Sequence, residues 1–120
     1  MLIKFIKPDF NFQDERGSLT QLVNKGWNQV NYITSVKGSS RGNHYHTINQ
    51  EAFFVISGAF KLSLEHKITK ETAKYDIKAG DFFVIFPNVI HSFDYTDDTT
   101  LISLYDRGVE LPNGKMDISR

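Results

Sequence analysis

Apolar and polar residues alternate with a period of two along most of the chain, and this pattern constrains the fold most strongly. Phe60, Leu62 and Leu64 alternate with Lys61, Ser63 and Glu65, as expected for a strand with one buried face. No window predicts an amphipathic helix. Similar β-rich runs, separated by turn signals rich in Gly, Asp, Asn or Pro, occupy residues 19–23, 30–36, 51–57, 81–86, 89–93 and 100–105. Many short strands at regular spacing predict an all-β sandwich or barrel.

The size of the chain predicts one domain, spanning residues 1–120, because a chain of this length builds one hydrophobic core. Ten Phe, five Tyr and one Trp favour pleated sheets over helices. Cysteine is absent from the sequence, which excludes disulfides and thiolate metal sites.

The charge balance argues against several classes of partner. Fourteen Lys and Arg residues match fourteen Asp and Glu residues, so the chain has no bulk attraction for nucleic acid or for anionic membranes. No apolar run has the length of a signal peptide or of a membrane span. The sequence therefore predicts a soluble, cytoplasmic protein, and its near-zero net charge is compatible with a homodimer.

Two segments leave structural questions open. In the run 51–57, Phe53 and Val55 point to one face, and Phe54 and Ile56 point to the other. Such a strand is either a central strand of one domain or a strand covered by a second layer or a partner subunit. The tail from Arg107 to Arg120 loses the alternation and is predicted to be a loop with a loosely docked end.

Histidines occur in a pattern that suggests a metal site. His44 and His46 are two residues apart, so on a strand they leave the same face with Cα atoms roughly 6.6 Å apart. Their imidazoles can then converge on one ion through bonds of about 2.1 Å. Glu51 follows His46 after five positions, an odd offset that would face it away on an unbroken strand. The turn-like residues 47–50 can restore its inward direction, and a buried carboxylate there needs a cation as its partner.

His91 completes the set. Alone on an apolar stripe, it would be interpreted as a hydrogen-bonded core residue. Together with His44, His46 and Glu51 it forms a nitrogen and oxygen donor set suited to Zn, Fe, Mn, Ni or Co as divalent ions. The sequence therefore predicts a divalent metal site formed by these four residues. The fourth histidine, His66, lies in a polar loop and is predicted to be at the surface.

Two longer stretches carry a family resemblance. Residues 38–58, which contain His44, His46 and Glu51 between two glycines, resemble the first cupin motif. Residues 80–95, which contain His91, resemble the second motif, although Phe86, Asn88 and Tyr95 differ from its usual residues. This resemblance implies a jelly-roll or double-stranded β-helix barrel, often dimeric, with a metal ion inside.

A narrower resemblance points to sugar nucleotides. Residues 14–19 and 41–46 resemble the sugar-nucleotide cupins of the RmlC-like group. These include the WxcM-like dTDP-sugar 3,4-ketoisomerases and the C-terminal metal cupin of capsular-polysaccharide reductases. In the ketoisomerases the paired histidines act as acid and base without a metal, and a glutamine is common where this chain has Glu51.

The resemblance implies an isomerase or epimerase acting on a nucleotide-linked keto sugar in surface-polysaccharide or deoxysugar biosynthesis. In a metal-dependent version, the four predicted ligands hold the ion, and Tyr32 or Tyr45 moves the proton. In a metal-free version, His44 and His46 are the acid and base, and Tyr32 assists. The predicted substrate-binding residues are Arg16 and Arg41, which would pair with the diphosphate, and Tyr105, which would stack on the base or sugar.

Two other functions stay open from the sequence. Many cupins with three histidines and one glutamate are metal-dependent oxygenases or lyases that act on small acids. A non-catalytic, sugar-binding module beside an enzyme is the second alternative.

Overall fold

Short β-strands make up the regular structure of the computed structural model, which describes all 120 residues. It contains no helix, and so none that could cross a membrane. The strands are β1 (Ile3–Phe5), β2 (Phe10–Asp14), β3 (Gly17–Gln21), β4 (Gln29–Ser35), β5 (Ser40–His44), β6 (Glu51–Ser57), β7 (Ala59–His66), β8 (Thr72–Lys78), β9 (Phe82–Ile85), β10 (Val89–Tyr95) and β11 (Thr99–Tyr105). The all-β prediction is confirmed.

Two antiparallel sheets face each other. The larger has five strands in the order β1-β9-β6-β11-β4, and the smaller has four in the order β5-β10-β7-β8. Consecutive strands such as β6 and β7 lie in different sheets, so the chain crosses repeatedly between the two layers. The core between the sheets is a cluster of thirteen buried side chains that includes Phe53, Phe60, Phe83 and Phe93. Burial on this scale stabilises each large side chain by about 1.5–3 kcal/mol.

The strand that is apolar on both faces is a central strand. β6 lies in the middle of the five-stranded sheet, where Phe53 and Val55 enter the core between the sheets. On the outer face, Ala52 joins a second apolar cluster. Leu22, Val23 and Trp27, from the segment between β3 and β4, pack against that cluster together with Phe54. Cover for the outer face of this strand therefore comes from the same chain.

Strands β2 and β3 form a hairpin outside both main sheets, since they pair only with each other. The register pairs Phe12 with Leu19 and Phe10 with Gln21, which places Phe10, Phe12 and Leu19 on one face of the hairpin. These three side chains are about half exposed. An apolar face of this kind is thus left open to solvent.

The C-terminal tail differs from the prediction of a loosely docked end. Val109 and Asp117 are buried, and the Asp117 amide donates a hydrogen bond to the Val109 carbonyl at 2.8 Å. Tyr45 and Ser119 exchange two backbone hydrogen bonds, each 2.9 Å long. The tail lacks alternation because polar contacts with residues 45–49, rather than an apolar face, hold it in place.

Candidate metal centre

A cavity of about 460 Å³ lies between the two sheets, lined by residues of β4, β5, β6, β10 and β11 and by one residue of the C-terminal tail. This volume is in the range of small-molecule sites. Its wall combines titratable side chains with apolar ones such as Ile33, Phe53 and Phe93. The polar and titratable residues in this wall are Ser40, Arg41, His44, Glu51, His91, Tyr95, Tyr105 and Arg120.

His44 and His91 are brought together by strand pairing. His44 is the last residue of β5, and it lies directly opposite His91 on β10 in the antiparallel register. Side chains opposite each other across two strands leave the same face of the sheet. The two imidazole ring centroids are accordingly 4.6 Å apart.

His46 reaches the same point from beyond the end of β5. Its ring centroid lies 5.3 Å from that of His44. Its Nδ1 lies 2.6 Å from the carbonyl oxygen of Asp117, and its Nε2 lies 3.0 Å from Glu51 Oε1. Because a carbonyl oxygen only accepts hydrogen bonds, Nδ1 carries the proton. In the neutral imidazole, Nε2 then carries a lone pair that faces the Glu51 carboxylate. A proton or a cation must lie between this nitrogen and the carboxylate oxygen.

Glu51 comes from the opposite sheet. It is the first residue of β6, pairs with Tyr105 on β11, and is buried. Glu51 Oε1 also lies 3.6 Å from His91 Nε2. The bend at residues 47–49 restores the inward direction of Glu51, so the odd offset from His46 does not turn the carboxylate away from the histidines.

The donor atoms fit a divalent cation. One ring nitrogen from each of His44, His46 and His91 lies within 4.8 Å of the others, and Glu51 Oε1 adds an anionic oxygen. His46 Nδ1 and His91 Nδ1 contact the carbonyl oxygens of Asp117 and Val89, the latter at 3.2 Å. Such contacts on the second nitrogen are typical of metal-binding histidines, because they fix the tautomer and orient the ring.

Burial controls the protonation of the histidines. The pKa of His91 is lowered to about 4, chiefly because burial disfavours the imidazolium. Burial, followed by the charge of His46, also lowers the pKa of His44. At His46 burial again lowers the pKa, but the hydrogen bonds to Glu51 and to Asp117 outweigh it and raise the pKa above its usual value. Two of the three rings thus favour the neutral form that binds metals.

These pKa shifts predict a loss of stability in mild acid. Between pH 6.5 and about 4, the unfolded chain takes up a proton at His91 that the folded chain does not. Stability therefore falls as pH decreases through this window. For His91 the loss between pH 7 and 5 is about 2 kcal/mol; His44 adds to it, and His46 opposes it. Urea denaturation in EDTA measures this difference, which His91→Asn should reduce. A loss of the same size in that variant would contradict the assignment.

Arg41, which the sequence predicted to bind the substrate diphosphate, lies in the cavity wall. Its Nε donates to Ser35 Oγ at 2.7 Å, and its Nη2 donates to the Thr34 carbonyl at 3.0 Å. Tyr105 lies in the wall as well, with its ring 5.0 Å from that of His46. Burial, followed by the charge of Glu51, raises the pKa of Tyr105, so its hydroxyl keeps its proton.

Three of the predicted site residues lie elsewhere. Tyr32 is 70% exposed on β4, since its neighbour Ile33 is the residue that faces the cavity. Tyr45 lies between two inward-facing histidines, and its ring contacts Lys67 Nζ at 5.6 Å. Arg16, whose side chain is 81% exposed, pairs with Asp14 at the turn of the β2–β3 hairpin. Their predicted catalytic and substrate-binding roles do not agree with these positions within one chain.

Other residues of the cavity were missed by the sequence analysis. The Tyr95 hydroxyl is buried without a hydrogen-bond partner, and burial raises its pKa. In the sequence, Tyr95 stands out only as a departure from the second cupin motif, although its spacing from His91 places both on one strand face. Arg120 lines the cavity from a tail with no sequence signal. His66, predicted at the surface, accepts hydrogen bonds from the amides of Ile68 and Thr69 outside the cavity.

Comparison with protein families gives a match over most of the chain. The model of the polysaccharide biosynthesis C-terminal domain matches residues 12–106, which include all four candidate metal ligands. The chain belongs to this family. As a member of the polysaccharide biosynthesis C-terminal domain family, it has the RmlC-like cupin fold that the two motifs predicted. No curated protein sequence matches it.

Solved structures of sugar-nucleotide enzymes resemble this family member. A double mutant of the 3,4-ketoisomerase QdtA from Thermoanaerobacterium thermosaccharolyticum, in complex with TDP, is 28% identical with a TM-score of 0.71; the match covers 87% of this chain and 79% of QdtA. A dTDP-4-dehydrorhamnose 3,5-epimerase from Bacillus anthracis, with TDP and PPi bound, is 21% identical with a TM-score of 0.73; the match covers 87% and 71% of the two chains.

A third similar structure is a larger protein. The capsular polysaccharide assembling protein CapF from Staphylococcus aureus is 24% identical with a TM-score of 0.68. The match covers 92% of this chain but only 31% of CapF. At this level of identity, CapF and the epimerase support the fold alone.

Proposed function

We propose that this chain is a metal-binding isomerase or epimerase that acts on a nucleotide-linked keto sugar in polysaccharide biosynthesis. The observation that carries the proposal is the meeting of His44, His46, His91 and Glu51 in one cavity. Similarity to the TDP complex of QdtA supports a nucleotide sugar as the substrate. A cytoplasmic location is part of this proposal.

The four residues would hold a divalent ion of Zn, Fe, Mn, Ni or Co. When bound, such an ion supplies positive charge next to the oxygen that becomes negative when a proton leaves the carbon beside a ketone. Glu51 provides the anionic ligand, and the carbonyls of Asp117 and Val89 keep the rings of His46 and His91 oriented. The neutral forms of His44 and His91, favoured by burial, keep their nitrogens available as ligands.

Proton transfer needs a donor and an acceptor in the cavity. Burial raises the pKa of Tyr95 and keeps its buried hydroxyl protonated, so this group can donate a proton and cannot remove one. In a metal-free reaction His44 is the acceptor, because both nitrogens of His46 are already engaged by Asp117 and Glu51. Tyr95 and His44 therefore replace Tyr32 and Tyr45 as the candidate acid and base.

The charges of the cavity wall fit the rest of the substrate. Arg41 keeps its Nη1 donors, since only its Nε and Nη2 bind Ser35 and Thr34. Arg120 adds a second guanidinium to the same wall. Guanidinium groups bind phosphate oxygens through paired hydrogen bonds, and a sugar nucleotide carries a diphosphate. We propose that these two residues bind it.

The experiment that tests this function is proton NMR of TDP-4-keto-6-deoxyglucose incubated with the protein in deuterated water. Deuterium should enter the sugar ring at carbons next to the ketone, with either migration of the ketone or inversion at those carbons. Heat-denatured protein provides the background rate. Binding without exchange would contradict an enzyme, and no binding would contradict a nucleotide-sugar ligand.

A binding module is the second candidate, and one observation favours it. The match covers only about a third of CapF, 31% of its length, so a domain of this type also occurs as part of a larger protein. As a module the chain would bind the nucleotide sugar for an enzyme domain. Binding with no deuterium incorporation in the NMR experiment is the outcome that supports this function.

We further propose that the chain forms a homodimer through the β2–β3 hairpin. The exposed hairpin face of Phe10, Phe12 and Leu19 would pack on a second copy. On that copy, the edge strand β4 exposes Val30 and Tyr32. Burying these side chains in the partner would remove exposed apolar area from water, and a net charge of zero offers no repulsion.

A single substitution tests the dimer. Phe12→Asp places a charge in the hairpin face and should shift the protein to a monomer in size-exclusion chromatography with light scattering. Ile68→Asp is the matched control, because Ile68 is 72% exposed in the loop between β7 and β8. Dissociation of both variants, or of neither, would contradict the hairpin as the interface.

A further inference from the structure

Asp117, in the C-terminal tail, accepts five hydrogen bonds from one short segment. Its Oδ1 accepts from the amide and the hydroxyl of Thr47, both at 2.9 Å. Its Oδ2 accepts from the amides of Ile48 and Asn49, at 3.1 and 2.9 Å, and from Asn49 Nδ2 at 2.9 Å. Nearly every polar group in the bend at 47–49 that can donate is therefore bound to one carboxylate.

The backbone of the same residue holds the ring of His46. The Asp117 carbonyl accepts the hydrogen bond from His46 Nδ1 at 2.6 Å. Asp117 and His46 are both buried, so water does not compete for this contact. One residue thus fixes the bend that follows His46 through its side chain, and the ring of His46 through its backbone.

The bend determines how His46 and Glu51 face each other. Five positions separate these residues, and an unbroken strand would send them to opposite faces. Asn49 supports the bend from the other side, since its Oδ1 accepts from the amides of Arg107 and Gly108 at 3.1 and 2.9 Å. The tail therefore closes around the bend and keeps its shape.

We propose that Asp117 is a positioning residue of the metal centre: it sets the distance from His46 to Glu51 and fixes His46 as the tautomer protonated on Nδ1. This inference rests on the proposed metal-binding function for its role in the reaction. Its structural content, the orientation and tautomer of His46, is independent of metal. The sequence gives no sign of this positioning role, because Asp117 lies 71 positions from His46 along the chain.

Anchoring of the tail is the competing explanation. A residue that only anchors the tail would change the melting temperature when replaced, but would leave metal affinity and the His46 tautomer unchanged. A positioning residue changes both. Metal affinity and a spectroscopic readout of the ring therefore distinguish the two roles.

The test compares Asp117→Asn with Glu110→Gln. Asparagine keeps the shape of the side chain, but its NH₂ group replaces one of the two carboxylate oxygens. This group donates hydrogen bonds where Oδ1 or Oδ2 of Asp117 accepts them. Glu110 is an exposed acidic residue of the same tail and controls for the change in charge. Titration with Co²⁺, followed by visible absorption, should show binding at least about tenfold weaker in Asp117→Asn and within about twofold of the wild type in Glu110→Gln. Equal affinity in the two variants would overturn the proposal.

Two further measurements keep the test decisive. If Asp117→Asn does not fold, Thr47→Val removes one of the five hydrogen bonds and should weaken Co²⁺ binding roughly threefold; unchanged binding would overturn the proposal. Long-range ¹H–¹⁵N NMR of the metal-free wild type should show the His46 proton on Nδ1, and a proton on Nε2 alone would also overturn it. If the wild type binds no Co²⁺, the metal function fails, and the same NMR measurement on Asp117→Asn decides the positioning role: loss of the Nδ1 tautomer supports it, and an unchanged tautomer overturns it.

Discussion

Replacing Glu51 with glutamine is expected to abolish the proposed metal binding and to lower the proposed isomerase or epimerase turnover at least about 100-fold. Glu51 is the one anionic group among three imidazoles, and its Oε1 lies 3.0 and 3.6 Å from His46 Nε2 and His91 Nε2. Glutamine keeps the shape of the side chain but removes the charge that attracts a cation. Elemental analysis of purified protein and deuterium incorporation into the keto sugar measure the two effects.

The control for this variant is Glu71→Gln, an exposed acidic residue next to β8, which should keep full metal content and turnover. Full activity of Glu51→Gln without metal would contradict the metal-dependent version and support acid–base chemistry by His44. Loss of metal with activity retained, and loss of both, are therefore distinct results. Circular dichroism of both variants confirms that the sheets are intact.

Gly58→Ala is expected to destabilise the fold by about 3 kcal/mol or more. Gly58 is the corner between β6 and β7, where the chain passes from one sheet to the other, and its φ is +98°. A Cβ atom there would lie 2.6 Å from Thr99 Cα, and closer still to the Asp98 carbonyl oxygen and Thr99 Oγ1. The backbone of Asp98 and Thr99 cannot move away without disrupting the start of β11, because Thr99 Oγ1 accepts a hydrogen bond from the Ala59 amide at 3.2 Å.

Gly80→Ala separates the two causes of this loss, which are the strain of a positive φ and the steric clash of the added Cβ atom. Gly80 also has a positive φ, +91°, but a Cβ atom would meet nothing within 4 Å. Its replacement should cost only the backbone strain, about 1 kcal/mol. Urea denaturation measures both variants. Equal losses in the two variants would contradict the close packing at Gly58.

Alternation predicted most of the strands that supply the core, but it did not lead to a prediction of β8, although Ile77 is buried in the core and Tyr75 packs against it. β7 alternates apolar and polar residues because one face packs into the core. β5, with the sequence Ser-Arg-Gly-Asn-His, has no apolar side chain, so periodicity could not detect it. β5 and β8 are the two edge strands of the four-stranded sheet, so each has a hydrogen-bonding neighbour on one side only.

The residues of the candidate site could also be predicted only in part from the sequence. His44, His46, Glu51 and His91 could be predicted because a local spacing and a shared chemistry connect them. Tyr32 was placed wrongly because it was chosen for its proximity to the first cupin motif, while the packing of the sheet turns its side chain outward from β4. Asp117 could not be found at all, since its contacts cross about seventy residues and depend on the shape of a loop.

The candidate centre draws residues from both sheets and from the tail. His44 and His91 belong to the four-stranded sheet, and Glu51 belongs to the five-stranded sheet. An ion bound by all of them would therefore cross-link layers that separate on unfolding, and its binding energy would add to the stability of the whole domain by mass action. Melting temperature then becomes a direct assay of occupancy, and a thermal-shift screen of divalent salts would rank the candidate metals before any substrate is known.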